Sequence, residues 1–256
     1  MSMNNIVFQI NIKGPRVKKE FELSNLSWSN WCKKRNYKYF VLTEEIYNLQ
    51  YMNANWHKFY CIKLLENENI KYDQIAIVDS DTIVHPDCPD FFKETEYKFS
   101  AVQNDGCYEW VNRSIKKYKS CLFNNIEINP WNYFNSGFMV INKRHKQFVK
   151  NLYDFYEKNR DIIVNAQETF KVGTDQTPIN YLTRKHKIDL KFLSNKYNLQ
   201  DLHRKSLLYL SPDMWFDDKL HFLNSGWIYH FNAIPPNPMQ RDCGYWMKRT
   251  YKELYK

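Results

Sequence analysis

Short unbroken apolar runs, separated by stretches in which apolar residues recur every three or four positions, set the pattern of this 256-residue chain. Ile75-Ala76-Ile77-Val78 and Phe138-Met139-Val140-Ile141 are runs of the kind needed by strands buried on both faces. Asn5–Ile10 and Tyr37–Thr43 add two strands, and Tyr97–Val102, Leu190–Leu193 and Ile228–Phe231 add shorter ones. Helical periodicity fills the intervals. Leu23, Leu26, Trp31 and Cys32 are the apolar positions of a helix from about Leu23 to Lys34, and Phe148, Leu152, Phe155 and Tyr156 fall at i, i+4, i+7 and i+8. Asn55 is placed to cap a helix starting near Trp56, with Tyr60, Leu64 and Leu65 facing inward. Gly173-Thr174 predicts a turn and N-cap before a helix from Asp175 to Lys185, where Pro178 is tolerated only in or near the first turn. Gly14-Pro15 and Pro235-Pro236-Asn237-Pro238 are loop signals. Residues from Asp105 to Tyr133 predict a long irregular segment, such as often forms the substrate side of a site.

Strand, helix, strand, helix, strand in that order predicts parallel β-α-β units. The fold class is therefore α/β: a mixed, mainly parallel sheet of Rossmann type flanked by helices. The chain shows no internal repeat, low-complexity block or linker, so a single domain over 1–256 is expected.

Composition narrows this picture. Hydrophobic residues at 43% and charged ones at 25% are ordinary for a soluble globular protein. A net charge of +9 implies an anionic partner, but Lys and Arg are scattered in short pairs without a basic tail. A phosphorylated small substrate fits that distribution better than specific nucleic-acid binding. The aromatic share of 17% implies rings near the surface or lining a cleft, which is compatible with carbohydrate. The six cysteines have no Cys-x-x-Cys spacing, so free thiols in a reducing compartment are expected. Neither a signal peptide nor a bilayer-length apolar run is seen, so the expected location is cytoplasmic, with peripheral contact to a membrane left open.

The chemistry starts at Asp79-Ser80-Asp81, directly after Ile75–Val78. In an extended segment two acids at a spacing of two share a face, and α/β sheets bind ligands beyond the carboxyl ends of their strands. Hard divalent cations take such oxygen ligands and bridge to phosphates. Asp-Ser-Asp-Thr is equally good turn and cap chemistry, and the triplet alone is more often a turn than a metal site.

Other stretches lie in a telling order: Trp56-His57-Lys58, Asp79-Ser80-Asp81-Thr82, Asp90-Phe91-Phe92, Tyr133-Phe134-Asn135-Ser136-Gly137, Gly173-Thr174-Asp175-Gln176 with Asn180, and Tyr229-His230-Phe231. Together they resemble nucleotide-sugar-dependent glycosyltransferases of the GT-A fold, nearest to the glycogenin and bacterial galactosyltransferase-like group, over most of the chain. The resemblance implies a donor-binding half at about 1–104 and an acceptor and catalytic half at about 105–256. Asp79 and Asp81 match the metal-binding acids of the DxD motif, and His230 the histidine that completes the site, with Mn2+ or Mg2+ holding the donor diphosphate. Asn135, Ser136 and Gly137 match the segment beside the donor sugar, where glycine permits close approach, and Ser80 is grouped with these donor-binding residues. Asp175 and Gln176 match the pair near the anomeric carbon of retaining members. Asp105 falls where a further sugar-contacting acid is often placed and is the candidate catalytic base of the alternative, an inverting step, and Lys58 falls where a basic or polar residue often meets the donor.

The chain departs from the pattern after His230, where Phe231-Asn232-Ala233-Ile234-Pro235-Pro236 lacks the family's diphosphate lysine. Arg241 and Lys248 are the candidates to replace it. The implied function is metal-dependent transfer of a sugar from a nucleotide-sugar, with uridine diphosphate the expected nucleotide, to a glycan or protein hydroxyl acceptor with retention. One alternative is a nucleotidyltransferase that forms the sugar nucleotide. It is disfavoured because Asn11-Ile12-Lys13-Gly14-Pro15-Arg16 is not the Gly-rich loop that would hold a triphosphate. The other is a non-catalytic glycan or nucleic-acid binder, which has no need of paired acids and a distant histidine.

Overall fold

A computed structural model describes residues 3–12, 19–208, 219–235 and 241–256. Gly14-Pro15 and Asn237-Pro238 lie outside the described residues. The elements, in chain order, are β1 (Asn5–Ile10), α1 (Phe21–Arg35), β2 (Lys38–Leu42), α2 (Ala54–His57), α3 (Cys61–Asn67), β3 (Gln74–Val78), β4 (Thr82–Val84), β5 (Phe99–Gln103), α4 (Tyr108–Leu122), β6 (Phe134–Asn142), α5 (Lys146–Phe170), α6 (Gln176–Lys185), β7 (Leu190–Leu193), β8 (Ile228–His230) and α7 (Cys243–Leu254). Six strands form one sheet in the order β2-β1-β3-β6-β5-β7. It is the expected mixed, mainly parallel α/β sheet: β1 pairs parallel with β2 and β3, β5 pairs parallel with β7, and β6 is antiparallel to both its neighbours. β4 and β8 form a separate antiparallel pair.

β1, β3 and β6 are buried along their whole length, as continuous apolar runs in a sheet covered on both faces must be. One core cluster, centred on Ile75, Ile77, Met139 and Ile141, packs under α3, α4, α5 and α6. A second, with Val7, Ala76, Val78 and Val140, packs against α1 and the Phe91-Phe92 turn. A third joins Ile83, Leu199, Tyr229 and Phe231 to Trp246 and Met247 of α7.

Several elements differ from the sequence expectation. Residues 108–122 are helical, with Val111, Ser114, Ile115 and Tyr118 buried at i, i+3, i+4 and i+7; polar Ser114 and an N-terminus without a side-chain cap conceal that rhythm. In α1 the buried face is Ser24, Ser27, Trp28, Trp31 and Cys32, and Leu26 is exposed. Small serines let α1 lie close to β1 of the main sheet, where Ser24 Oγ accepts from Gln9 Nε2 at 2.7 Å, and to β4, where Ser27 Oγ accepts from the Val84 N–H at 3.3 Å. Asn53, not Asn55, caps α2 by accepting from the Asn55 N–H. Asp175, not Thr174, occupies the N-cap position of α6. β6 starts at Phe134, so Asn135-Ser136-Gly137 lies inside a strand. Most aromatic rings are buried: Trp31 stacks on Phe91 at 4.7 Å, and only Phe21 and Trp110 are rings in the described lining of the main cavity. The six cysteines are unpaired. Among the described residues no helix is long and apolar enough to cross a membrane.

Candidate active site

A cavity of about 630 Å³ opens beyond the carboxyl ends of β1 and β3. Its described lining includes Asp79, Ser80, Asp81, Asn135, Ser136, Gly137, Asp175, Gln176 and His230. The two acids do not continue the strand. Asp79–Asp81 is a turn between β3 and β4, so turn geometry, rather than alternation along an extended strand, brings the carboxylates together. The turn is fastened on every side. The Asp79 carbonyl accepts from Gln9 Nε2 at 3.0 Å and from Thr82 Oγ1 at 2.7 Å, and the Asp79 N–H donates to the Gly137 carbonyl at 3.0 Å. Asp79, Ser80 and Asp81 of this turn line the cavity, and Thr82 begins β4.

His230 reaches the acids through β8. Thr82 pairs with His230 across the β4–β8 ladder, and the Phe231 N–H donates to the Asp81 carbonyl at 2.9 Å. His230 Nε2 lies 3.2 Å from Asp81 Oδ1. One ligand atom each from Asp79, Asp81 and His230 lie within 4.8 Å of one another. Two carboxylate oxygens and one imidazole nitrogen are a donor set for a divalent ion.

A chain of amides orients the imidazole. The Gly137 backbone N–H, which can only donate, donates to Asn135 Oδ1 at 2.8 Å. Asn198 Nδ2 donates to the same oxygen at 3.0 Å, which leaves Asn198 Oδ1 facing His230 Nδ1 at 3.1 Å. His230 Nδ1 therefore carries the proton and donates, and Nε2 is turned toward Asp81. Gly137 itself is needed for this packing, because a Cβ there would lie 2.4 Å from His230 Cε1. The close approach permitted by this glycine is that of the histidine. β6 also bulges here: Ala101 pairs with Met139 but Val102 with Asn135, so Ser136, Gly137 and Phe138 stand out of the β5 ladder beside the cavity.

Lys58 lies beneath the lining rather than in it, and its side chain is fully buried (0% exposed). Its ammonium sits 2.8 Å from Asp175 Oδ2 and 3.2 Å from Asp79 Oδ1, and donates to the Ser136 carbonyl at 2.9 Å. Burial opposes its charge, but the Asp175 and Asp79 carboxylates outweigh it and push the Lys58 pKa up to about 12. Burial likewise opposes charge on Asp175, and Lys58 overcomes it, holding that carboxyl below its ordinary range. Asp79 goes the other way: burial raises it, with Lys58 opposing and Asp81 adding to the rise. Burial also works against Asp81, but the charge and hydrogen bond of His230 keep it low, and the same contact outweighs burial to raise His230. Three carboxylates and one ammonium leave two negative charges when the imidazole is neutral, which a divalent cation would balance.

Gln176 Oε1 accepts from the Ser136 N–H at 3.2 Å, and its Nε2 donates to Asn104 Oδ1 at 3.2 Å. Asn180 ties α6 to β6, accepting from the Phe134 N–H at 2.9 Å and donating to the Phe134 carbonyl at 2.9 Å. Asp105 is outside the described lining and pairs with Lys205 and Asn195. Its neighbour Asn104 is the residue joined to the site, through Asn135 and Gln176. One residue along an extended chain exchanges the faces. Asp90-Phe91-Phe92 is core, with Asp90 accepting from Tyr37 Oη at 2.8 Å. Neither Arg241 nor Lys248 lines the cavity, and its described lining contains no Lys or Arg. Asn104 and Asn198 escaped sequence reasoning, since a lone asparagine in a loop carries no spacing signal.

No family model matches the chain, and no curated protein matches it. Solved structures do. A glycosyltransferase involved in the glycosylation of the major capsid of PBCV-1 superposes with a TM-score of 0.61 at 8% identity, over 96% of this chain and 99% of that one. The chain has the GT-A glycosyltransferase fold. The galactosyltransferase LgtC, solved with donor and acceptor sugar analogues, gives 0.52 at 14% identity over 98% and 96% of the two chains. Mouse xyloside xylosyltransferase 1 gives 0.51 at 10% identity over 92% and 100%. In this chain the GT-A sheet puts the Asp79-Asp81-His230 group at its strand ends, where open α/β sheets hold their ligands.

Proposed function

We propose that this chain is a metal-dependent glycosyltransferase that moves a sugar from a nucleotide-sugar, with uridine diphosphate as the nucleotide, to a hydroxyl acceptor with retention. The observation that carries this reading is the convergence of Asp79, Asp81 and His230, from a turn and a distant strand, in one cavity with Asp175 and Asn135. Mn2+ or Mg2+ at the Asp-Asp-His group would supply Lewis-acid stabilisation of the departing nucleoside diphosphate. Asp79, Asp81 and His230 hold that ion, with Asn198 fixing the ring. Lys58 holds Asp79 and Asp175 at a set separation from below. Asp175 presents a charged carboxylate to a sugar whose anomeric carbon gains positive charge. Asn135, Ser136 and Gly137 form the wall beside the sugar. Gln176 and Asn104 brace that wall.

Retention is favoured by what the cavity offers the acceptor. Beyond the three metal-site residues, its described lining holds Asp175 as the one carboxylate and no second histidine, and Asp175 is already held by Lys58 and Thr174. An inverting step needs a free general base. Among the described residues the lining holds no Lys or Arg, so of these residues it is the Asp-Asp-His group, with its metal ion, that would meet the diphosphate. The division into a donor half at 1–104 and an acceptor half at 105–256 belongs to the same proposal.

The test is a thermal-shift panel of nucleotide-sugars with and without Mn2+, followed by donor hydrolysis. A ligand of the folded state raises its stability by mass action. One donor should stabilise the protein only with metal, and Asp79→Asn with Asp81→Asn should abolish both this shift and hydrolysis. Metal-independent hydrolysis, or pyrophosphate release from a nucleoside triphosphate and a sugar phosphate, would sink the proposal.

A further inference from the structure

Part of the cavity wall belongs to neither a helix nor a strand. Residues 43–53, between β2 and α2, form a strap without regular structure, yet its Leu49 and Asn53 line the cavity, as do Ala54 and Asn55 directly after it. β2 runs parallel to β1, with Leu42 opposite Ile10 and its carbonyl accepting from the Asn11 N–H at 2.8 Å. The strap therefore leaves the sheet beside Ile10 and Ile12, which also line the cavity. β1 separates β2 from β3, so the strap starts two strand spacings, roughly 10 Å, from the strand that leads into Asp79.

A backbone outside any helix or ladder must find its hydrogen bonds elsewhere. Two side chains that do not line the cavity supply them. His57, fully buried, accepts at Nδ1 from the Ile46 N–H at 3.2 Å, and its Nε2 lies 3.2 Å from the Met52 carbonyl. The amide only donates and the carbonyl only accepts, so Nε2 carries the proton and a neutral ring bridges the strap from end to end. Burial lowers the His57 pKa and favours that neutral form. From α5, just after its non-helical residue Asn159, Arg160 donates from Nε to the Tyr51 carbonyl at 2.7 Å and from Nη2 to the Gln50 carbonyl at 3.1 Å. Its guanidinium also lies 4.8 Å from the centre of the Tyr51 ring, and Tyr156 Oη donates to the same Tyr51 carbonyl at 3.0 Å. Beyond the strap, Asn55 Nδ2 donates to Thr174 Oγ1 at 3.0 Å, which donates to Asp175 Oδ1 at 2.8 Å. Within Trp56-His57-Lys58, then, Lys58 holds the acids and His57 holds the strap.

We propose that His57 and Arg160 are positioning residues for donor selection: by holding the strap they fix Leu49 and Asn53 in the cavity wall, and so set which nucleoside the cavity accepts. This rests on the glycosyltransferase reading and deepens it. With the diphosphate at the Asp-Asp-His group, the wall on the β2 side is left to the nucleoside, and there the strap offers one apolar and one amide side chain. Leu49 packs with the cluster that contains Ile10, Ile12 and Met52, so a strap released at Ile46, Gln50, Tyr51 or Met52 moves both wall residues together. Neither positioning residue touches Asp79, Asp81 or His230 through any described hydrogen bond or ion pair, so the metal group is left as it is when the strap is loosened.

The experiment is calorimetry with Mn2+ and, in turn, ADP, CDP, GDP, UDP and inorganic pyrophosphate, on the wild type, Arg160→Ala, Arg160→Lys, His57→Phe, His57→Gln and, as a core truncation away from the strap, Leu152→Ala. Pyrophosphate reports the metal group alone, and the nucleoside diphosphates report the wall as well. The wild type should prefer one nucleoside diphosphate over the others and over pyrophosphate. Arg160→Ala and His57→Phe should lose roughly three- to tenfold of that preference, the weight of one or two hydrogen bonds, with pyrophosphate affinity unchanged. Arg160→Lys and His57→Gln, which keep a donor to the strap, should recover part of it, and Leu152→Ala should retain all of it. Arg160 lies at the surface, so Arg160→Ala decides the matter even where His57→Phe fails to fold. An unchanged preference in Arg160→Ala, a parallel loss of pyrophosphate binding, or an equal loss in Leu152→Ala would each overturn the positioning role and leave the transferase reading standing. A preference for a nucleoside other than uridine that Arg160→Ala abolishes would keep the role and correct the nucleotide. A wild type that binds none of the five ligands would remove the transferase reading, and the role with it.

Discussion

Truncating Asn198 to alanine removes the oxygen that His230 Nδ1 donates to and leaves the ring free to rotate or to change tautomer. Outer partners of this kind are worth about 10–100-fold in metal affinity. Asn198→Ala should therefore weaken Mn2+ binding by that factor in calorimetry, whereas Asp81→Asn, which deletes a ligand, should abolish it. Equal affinity in Asn198→Ala and wild type would show that the ring is held by packing alone. Lys58 sets a different balance. It has exchanged water for two carboxylates and a carbonyl, and its removal strands Asp79 and Asp175. Breaking a buried pair from one side costs about 3–5 kcal/mol. Lys58→Met should lower Tm by roughly ten degrees. Adding Asp175→Asn should recover part of the loss, because one of the two stranded charges is gone; a double variant no more stable than the single would contradict this pairing.

At the scale of elements, the bulge in β6 and the entry to α5 give separate tests. Gly137→Ala places a methyl where His230 Cε1 stands, so the ring must move away from Asp81 or the strand must shift. The expected outcome is loss of the Mn2+-dependent thermal shift together with a fall in stability of about 1–3 kcal/mol from overpacking. His145 accepts from the Asn142 N–H at 3.1 Å just before α5, and burial, aided by Arg144, depresses its pKa to about 4. Its folded pKa lies below the ordinary value of 6.5, so the unfolded chain takes up the proton first as pH falls. Stability is then full above pH 6.5 and declines between 6.5 and about 4, by on the order of 3 kcal/mol. Denaturant melts across that range should show the slope in the wild type and a flatter one in His145→Gln. What was legible in the sequence follows the range of the forces involved. β1, β3 and β6 could be found because continuous apolar runs encode burial on both faces, and α6 because Gly173, Asp175 and Pro178 mark a helix start. α4 was hidden by polar Ser114 in its buried face and by an uncapped beginning. Asp79 and Asp81 could be read from their place after a buried strand, whereas His230 was joined to them only through the resemblance to a family. No local rhythm says that β8 pairs with β4, and none distinguishes Asn104 from Asp105.

Over the whole molecule, the site depends on an element that contributes nothing to its lining. β3 and β6 belong to the main sheet, but His230 lies on the separate β4–β8 pair, whose far side is covered by α7. Trp246 and Met247 pack there with Ile83, Tyr229 and Phe231, and Tyr255 Oη donates to the Val84 carbonyl at 2.7 Å. The described cavity lining is acidic, so the net charge of +9 acts from the surface, and under the proposed function it would draw an anionic donor toward the Asp-Asp-His group. Under the proposed function, metal binding is expected to depend on how well the C-terminal helix holds β8 against β4. Met247→Ala and Leu152→Ala separate this coupling from stability in general. Both residues are buried, Met247 in the α7 cluster and Leu152 in α5 on the far core, and each truncation should cost about 2–5 kcal/mol. If α7 fixes the position of His230, Met247→Ala should weaken Mn2+ affinity several-fold at a temperature where the protein is still folded, while Leu152→Ala leaves it unchanged. Equal affinity in the two variants would mean that the β4–β8 ladder alone, with its Phe231–Asp81 backbone bond, is sufficient to keep the histidine on the metal.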